Sequence, residues 1–148
     1  MEKTFIRVHS IKDIIIFASL AIIGIILTAL PAGEGTHIAG FFIIVAAAIL
    51  ALVLKSAYKD VETNEKYLKK ERYFQQTMHA EISVAIASKP DSVDLSEENK
   101  GNAVKLDIYY SKSTGKAYIQ LFEYVPYTYQ PCSKMYEYEI SKVSKLIK

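Results

Sequence analysis

The chain has no tryptophan, one cysteine (Cys132) and three histidines, so the side chains that most often build redox and metal centres are scarce. A lone cysteine cannot close an intramolecular disulfide. Arginine occurs only at Arg7 and Arg72, and the formal net charge is +2, which gives no case for duplex nucleic acid as a partner. Charge itself is missing from two long stretches. Residues 14–33 (IIIFASLAIIGIILTALPAG) and 35–54 (ending IAGFFIIVAAAILALVL) contain no Asp, Glu, Lys or Arg. Apolar runs of this length approach the roughly 17–25 residues that a helix needs to cross a bilayer. A soluble core helix is rarely apolar on every side for so long. A cleaved signal peptide is the rival reading of the first run, and its length and the second run close behind it argue against that reading.

What is present fills in a topology. Residues 14–54 read as a two-helix transmembrane hairpin, with Pro31, Gly33 and Gly35 supplying turn chemistry in an outer loop at 31–37. Lys3, Arg7 and Lys12 precede the first span. Lys55, Lys59, Lys66, Lys69, Lys70 and Arg72 follow the second, and the loop between the spans has no basic residue. The positive-inside rule then places both flanks in the cytoplasm. Abundant lysine and isoleucine suggest an AT-rich bacterial genome, so a bacterial cell membrane is the expected location. Gly24 and Thr28 share one face of the first span, and Gly40, Ala47 and Ala51 form a small-residue stripe on the second. These are helix-packing positions, within the hairpin or between subunits. Neither span carries an ionisable group, which argues against a transporter acting alone.

The segments outside the hairpin are expected as follows. Residues 1–13 form an amphipathic entry suited to the membrane surface or to an added edge strand, with Ser10 and Asp13 as a capping box. Residues 55–80, without Gly or Pro, are expected to continue as a helical stalk. Residues 81–148 are expected to be a small cytoplasmic α+β domain. Strands are expected at 82–87, 104–110 and 117–125, the last two joined as a hairpin through SKSTGK. Pro126 and Pro131 are expected to stop strand pairing, and Ser133 to cap a C-terminal helix. The fold class is thus a membrane α-helical hairpin, a stalk, and an antiparallel sheet with a terminal helix.

Chemical motifs fail one by one. His79-Ala80-Glu81 with Pro131-Cys132-Ser133-Lys134-Met135 approaches a zinc-deaminase pattern, but Met135 stands where a thiolate is required. STGK at 113–116 lacks the first glycine and the final hydroxyl of a phosphate-binding loop. Nothing in the sequence brings a histidine to Cys132 as a base, and no set of His, Cys, Asp and Glu has metal-ligand spacing. Catalytic residues, metals and cofactors are therefore not expected. Eight of the eleven tyrosines fall between 109 and 138. They are either half-buried sheet residues or a stacking surface. The candidate ligand-binding set is Lys105, Tyr110, Lys112, Lys116, Tyr118, Tyr124 and Tyr127.

In layout alone, two N-terminal membrane helices, a stalk and a small cytoplasmic domain resemble the membrane effectors of type III CRISPR systems. The resemblance implies a homo-oligomer in the lipid bilayer, a cyclic tetra-adenylate ligand held by the soluble part, and a role in antiviral defence. It carries over no residue. The expectation is a non-enzymatic membrane sensor and effector. A scaffold or accessory subunit of a membrane complex, and a holin-like pore former, are the alternatives.

Overall fold

Ser10 and Asp13 begin the first helix by the expected reciprocal cap: the Asp13 amide donates to Ser10 Oγ and the Ser10 amide to the Asp13 carboxylate. The computed structural model describes residues 3–148. Two compact units are present: Arg7–Tyr58, and the segment ending at Ile6 together with Lys59–Lys148.

The first unit is the apolar hairpin. Helix α1 spans Ile11–Ala29 and α2 spans Glu34–Val53, both long and apolar enough to cross a membrane. Only 11% of each most apolar window is buried, so neither is the core helix of a soluble domain. The helices meet at glycines. A Cβ on Gly24 would lie 2.6 Å from Ile44 Cγ1, and one on Gly40 would lie 2.5 Å from Thr28 Oγ1 and 2.7 Å from the Thr28 amide nitrogen. Thr28 turns its hydroxyl back to Gly24 O, and Ala47 is buried beside this contact. Of the expected stripe, Gly24, Thr28, Gly40 and Ala47 therefore serve the hairpin itself, with Ala51 half-buried at its lower end.

The base of the hairpin is polar. Asp13, 2% exposed, also accepts from the Ser56 amide and the Ser56 hydroxyl, joining the start of α1 to the chain leaving α2. Arg7 donates to Lys55 O, and His9 bonds to Leu54 O.

The chain's seven-stranded sheet is ordered β1–β2–β3–β4–β5–β6, with β7 also paired to β5; the second unit holds β3–β7 and the outer ends of β1 and β2. The strands are β1 (Phe5–Val8), β2 (Ala57–Asp60), β3 (Lys66–Phe74), β4 (Val104–Ser111), β5 (Lys116–Val125), β6 (Thr128–Pro131) and β7 (Tyr136–Glu139). The 104–110 and 117–125 strands stand as expected, antiparallel, with Gly115 at φ +70° in the turn. One sheet face holds the core: Phe74, Val104, Leu106, Ile108, Ile119 and Leu121, covered by helix α3 (His79–Ser88) and by Val143 and Leu146.

Four expectations are corrected. The 55–80 stalk is replaced by β2, a turn and β3. Asp60 accepts from the Glu62 amide and the Thr63 hydroxyl, and Asn64 takes φ +61°, so two Asx residues break the chain where Gly and Pro are missing. Pairing of Leu68–Phe74 with Val104–Tyr110 then outweighs the modest helix propensity of Lys and Glu. Residues 82–87 are helix, because Met78, Ile82, Ala85 and Ile86 are buried at helical spacing while Val84 is exposed. The prolines do not stop pairing. Pro126 and Tyr127 form a two-residue turn, Val125 pairs with Thr128, and Pro131 lies opposite Phe122 on a strand at the sheet's edge, where its missing N–H is tolerated.

The C-terminal α-helix is likewise replaced, by β7 and a 3-10 turn at Ile140–Val143. In YEYE, Tyr136 and Tyr138 pack on the core while Glu137 and Glu139 face out, an alternation of period two. Ser133 caps no helix; its hydroxyl accepts from the Leu121 amide.

Two substitutions test this architecture. Gly40→Val overpacks the helix contact and should lower the stability of the detergent-solubilised chain by about 1–3 kcal/mol, whereas Gly35→Ala, with open space around it, should change little. Tyr127 holds φ +73° while 96% exposed, so Tyr127→Gly should stabilise the sheet by about 1 kcal/mol, read as a higher denaturation midpoint.

Candidate functional site

Side chains alternate across a strand, so β3, β4 and β5 present a second face away from the core. It carries Tyr67, Lys69, Glu71 and Tyr73, then Lys105, Asp107 and Tyr109, then Tyr118, Gln120, Phe122 and Tyr124, as their register dictates. At one end of this face Phe5 from β1 stacks on Tyr109 (4.2 Å, 7°) and meets Tyr67 and Tyr118 edge-on or tilted. These rings are packing. Burial pushes the Tyr118 phenol up to about 12.

In the middle, Asp107 lies between Lys69 (3.2 Å) and Lys105 (3.5 Å). Burial pushes its carboxyl above the usual range, against the pull of both ammonium groups.

At the other end the face opens. A shallow, open cleft of about 560 Å³ is lined by Tyr73, Asn99, Lys100, Gly101, Asn102 and Tyr129. Its walls are fixed by backbone contacts. The Asn99 amide donates to Tyr73 O with Asn99 at φ +66°, and Gly101 lies so near Gln75 that a Cβ would come within 2.9 Å of the Gln75 Cα. Tyr129 donates its hydroxyl to Asn102 O (2.8 Å), and Tyr73 donates to Glu71 (2.7 Å). The two rings are 6.1 Å apart at 58°, and Tyr124 adds an edge contact to Tyr129 at 5.2 Å. Lys105 Nζ lies 4.9 Å from the Tyr129 ring and 4.8 Å from the Phe122 ring, so a cation supports the aromatic wall. The cleft thus offers two tyrosine rings, two primary amides and the Lys100 ammonium, which is paired with Glu97 at 3.0 Å.

The expected ligand set is scattered by this geometry. Lys105 and Tyr124 adjoin the cleft through Tyr129. Tyr118 is buried in the Phe5 cluster, and Tyr110 packs on the opposite face with the core. Lys112 and Lys116 sit at the β4–β5 turn and Tyr127 at the β5–β6 turn. These turns lie at opposite ends of the 10-residue β5, about 30 Å apart at ~3.3 Å per residue. Tyr73, Asn99, Lys100, Asn102 and Tyr129 were not in the set. Tyr73 was hidden by the helical reading of 55–80; the KGN segment at 100–102 and the clustered Tyr129 were the available signals.

The sequence also gave no reason to bring a histidine to Cys132. The structure does so: His79, Glu123 and Cys132 present ligand-type atoms within 4.8 Å of one another. Glu81, the acid of the apparent deaminase motif, is exposed and outside this trio.

Tyr73 supplies a spectroscopic test. Its hydroxyl donates to Glu71, so ionisation would set a phenolate against a carboxylate, and its pKa is pushed up to about 12 from 10.0. Because the folded value is raised, this contact stabilises the fold below the ordinary phenol pKa and is lost as pH rises through about 12. In an ultraviolet titration Tyr73 should ionise late, and Glu71→Gln should return it toward its ordinary value.

No protein-family model, curated protein or solved structure matches the chain, so its function is argued from this geometry alone.

Proposed function

We propose that the chain is a membrane-anchored, non-enzymatic ligand sensor whose sheet unit binds a nucleotide-type ligand in the Tyr73–Tyr129 cleft. The observation that carries the reading is the composition of that cleft: the Tyr73 and Tyr129 rings to stack a base, Asn99 and Asn102 to meet its polar edge, and Lys100 for phosphate, with Lys105 adjoining through the Tyr129 ring. A cyclic oligoadenylate, which repeats base and phosphate, is the ligand we favour.

The hairpin spans a bacterial cell membrane with both flanks cytoplasmic. The two charge-free runs at 14–33 and 35–54 and the basic residues on their common side support that orientation. In this reading the protein acts as a homo-oligomer, with the ligand shifting the helices between two packing states that it binds unequally, in the service of antiviral defence. The hairpin is threaded into the sheet's chain, entered from β1 and left through β2, so both of its ends continue into strands.

The scaffold reading is less well supported at the sheet edge, since β6 has four residues and ends in Pro131, which lacks an amide donor.

The full chain in detergent micelles should be titrated by calorimetry with AMP, ATP, linear tetra-adenylate and cyclic tetra-adenylate. Binding of at least one is expected. Tyr129→Ala should weaken it by about 1–3 kcal/mol, the usual contribution of one stacked ring. Tyr127→Ala, at the exposed turn, should leave affinity unchanged. Absence of binding by all four would overturn the nucleotide reading.

A further inference from the structure

His79, Glu123 and Cys132 come from three separate stretches of chain, and the sheet register explains their meeting. Leu121 and Glu123 are two apart on β5 and share the core face. The Cys132 amide bonds to Leu121 O, which sets Cys132 opposite Leu121 and diagonal to Glu123. His79 is the first residue of α3, the helix that covers this face. An imidazole nitrogen, a carboxylate oxygen and the thiol sulfur then lie within 4.8 Å of one another. A second observation is independent of the clustering: His79 Nε2 is buried with no hydrogen-bond partner among the described residues. Buried polar atoms are normally satisfied, and one that is not calls for a specific cause.

We propose that His79, Glu123 and Cys132 form a binding site for a divalent transition-metal ion of the zinc type. The donor set decides the class. One nitrogen, one sulfur and one oxygen suit zinc and its neighbours, whereas magnesium and calcium require oxygen donors almost throughout. Bond lengths of about 2.0–2.3 Å put tetrahedral ligands about 3.5 Å apart, so atoms already within 4.8 Å need only small side-chain rotations. Three protein ligands leave one position for water. Cys132 donates its S–H to Leu121 O, and burial together with the nearby Glu123 pushes its pKa up. Coordination reverses that preference: the thiol loses its proton to solvent and the ion supplies the positive charge that the half-buried thiolate and carboxylate require. The site lies on the core face, whereas the Tyr73–Tyr129 cleft opens from the other, so the inference does not depend on the nucleotide reading.

The probe is cobalt(II), added to the full, untagged chain in detergent after treatment with a chelator. One equivalent per chain should bind, with a sulfur-to-cobalt charge-transfer band in the near ultraviolet and visible bands of tetrahedral intensity, and zinc(II) should displace it. Cys132→Ser should abolish the charge-transfer band. Loss of an outer-shell partner already weakens metal sites by about 10–100-fold, so His79→Gln and Glu123→Gln should each weaken cobalt binding by about tenfold or more. Circular dichroism of the three near-isosteric variants identifies any that fail to fold, and each remaining variant is decisive by itself. No thiolate–cobalt band in the wild-type chain, or equal affinity in folded His79→Gln and Glu123→Gln, would overturn the site.

Discussion

The carboxylate of Asp13 is the contact on which the hairpin depends. It is charged in character, buried, and placed at the first turn of an apolar helix, where an unsatisfied acid would be very costly. It is satisfied from both ends of the hairpin at once: the Ser10 amide before α1, and the Ser56 amide and hydroxyl after α2. The same acid complements the positive end of the α1 dipole. Together with the glycine contact between Gly24 and Gly40, it fixes where the two helices start and finish relative to each other. One end is held by polar groups, the middle by close backbone approach.

The sheet unit solves a different problem, that of a β-sheet with two useful faces. One face is an ordinary aliphatic core closed by α3 and the C-terminal segment. Arg72, one of only two arginines, is buried on that face and donates to Leu146 O, Lys148 O and Glu98, so the C-terminal segment is tied down by a guanidinium. Bidentate and multidentate donation is what arginine does better than lysine. The other face mixes tyrosines with Lys69, Asp107 and Lys105, whose charges are half-buried but matched. At the edge of this second layer the chain turns through Asn99–Asn102 and leaves the cleft.

The two long apolar helices, the Ser10–Asp13 cap, the small-residue stripe and the β4–β5 hairpin were legible in the sequence because each rests on a local or single-period signal. The stalk was not. Lys66–Phe74 has buried residues on both faces, Tyr67 on one and Arg72 and Phe74 on the other, and with charged Arg72 buried and Lys69 half-buried neither face reads as apolar. Its helix-forming composition is outweighed by cross-strand pairing that no local window contains. The C-terminal segment failed for a related reason, since Tyr136–Glu139 alternates cleanly yet is preceded and followed by helix-compatible spacing. In YVPYTYQPC the prolines read as the end of pairing, whereas Pro126 sits in a tight turn and Pro131 in a paired edge strand. Tyr129 is a wall of the cleft and Tyr127 is displayed to solvent, whereas Cys132 meets His79 through register alone.

The outer edge of β5 is divided between two short partners: β6 along Phe122–Val125 and β7 along Lys116–Ile119. A strand paired in two four-residue pieces opens in two steps rather than one. Each piece holds few backbone bonds, so its local unfolding free energy falls well below that of the central β3–β4–β5 ladder. Amide hydrogen exchange along β5 would therefore be asymmetric, slow toward β4 and graded toward the outer partners. Cys132 stands at the join between the two pieces, the position at which a bound ion or its loss would be felt first as a change in that edge's breathing.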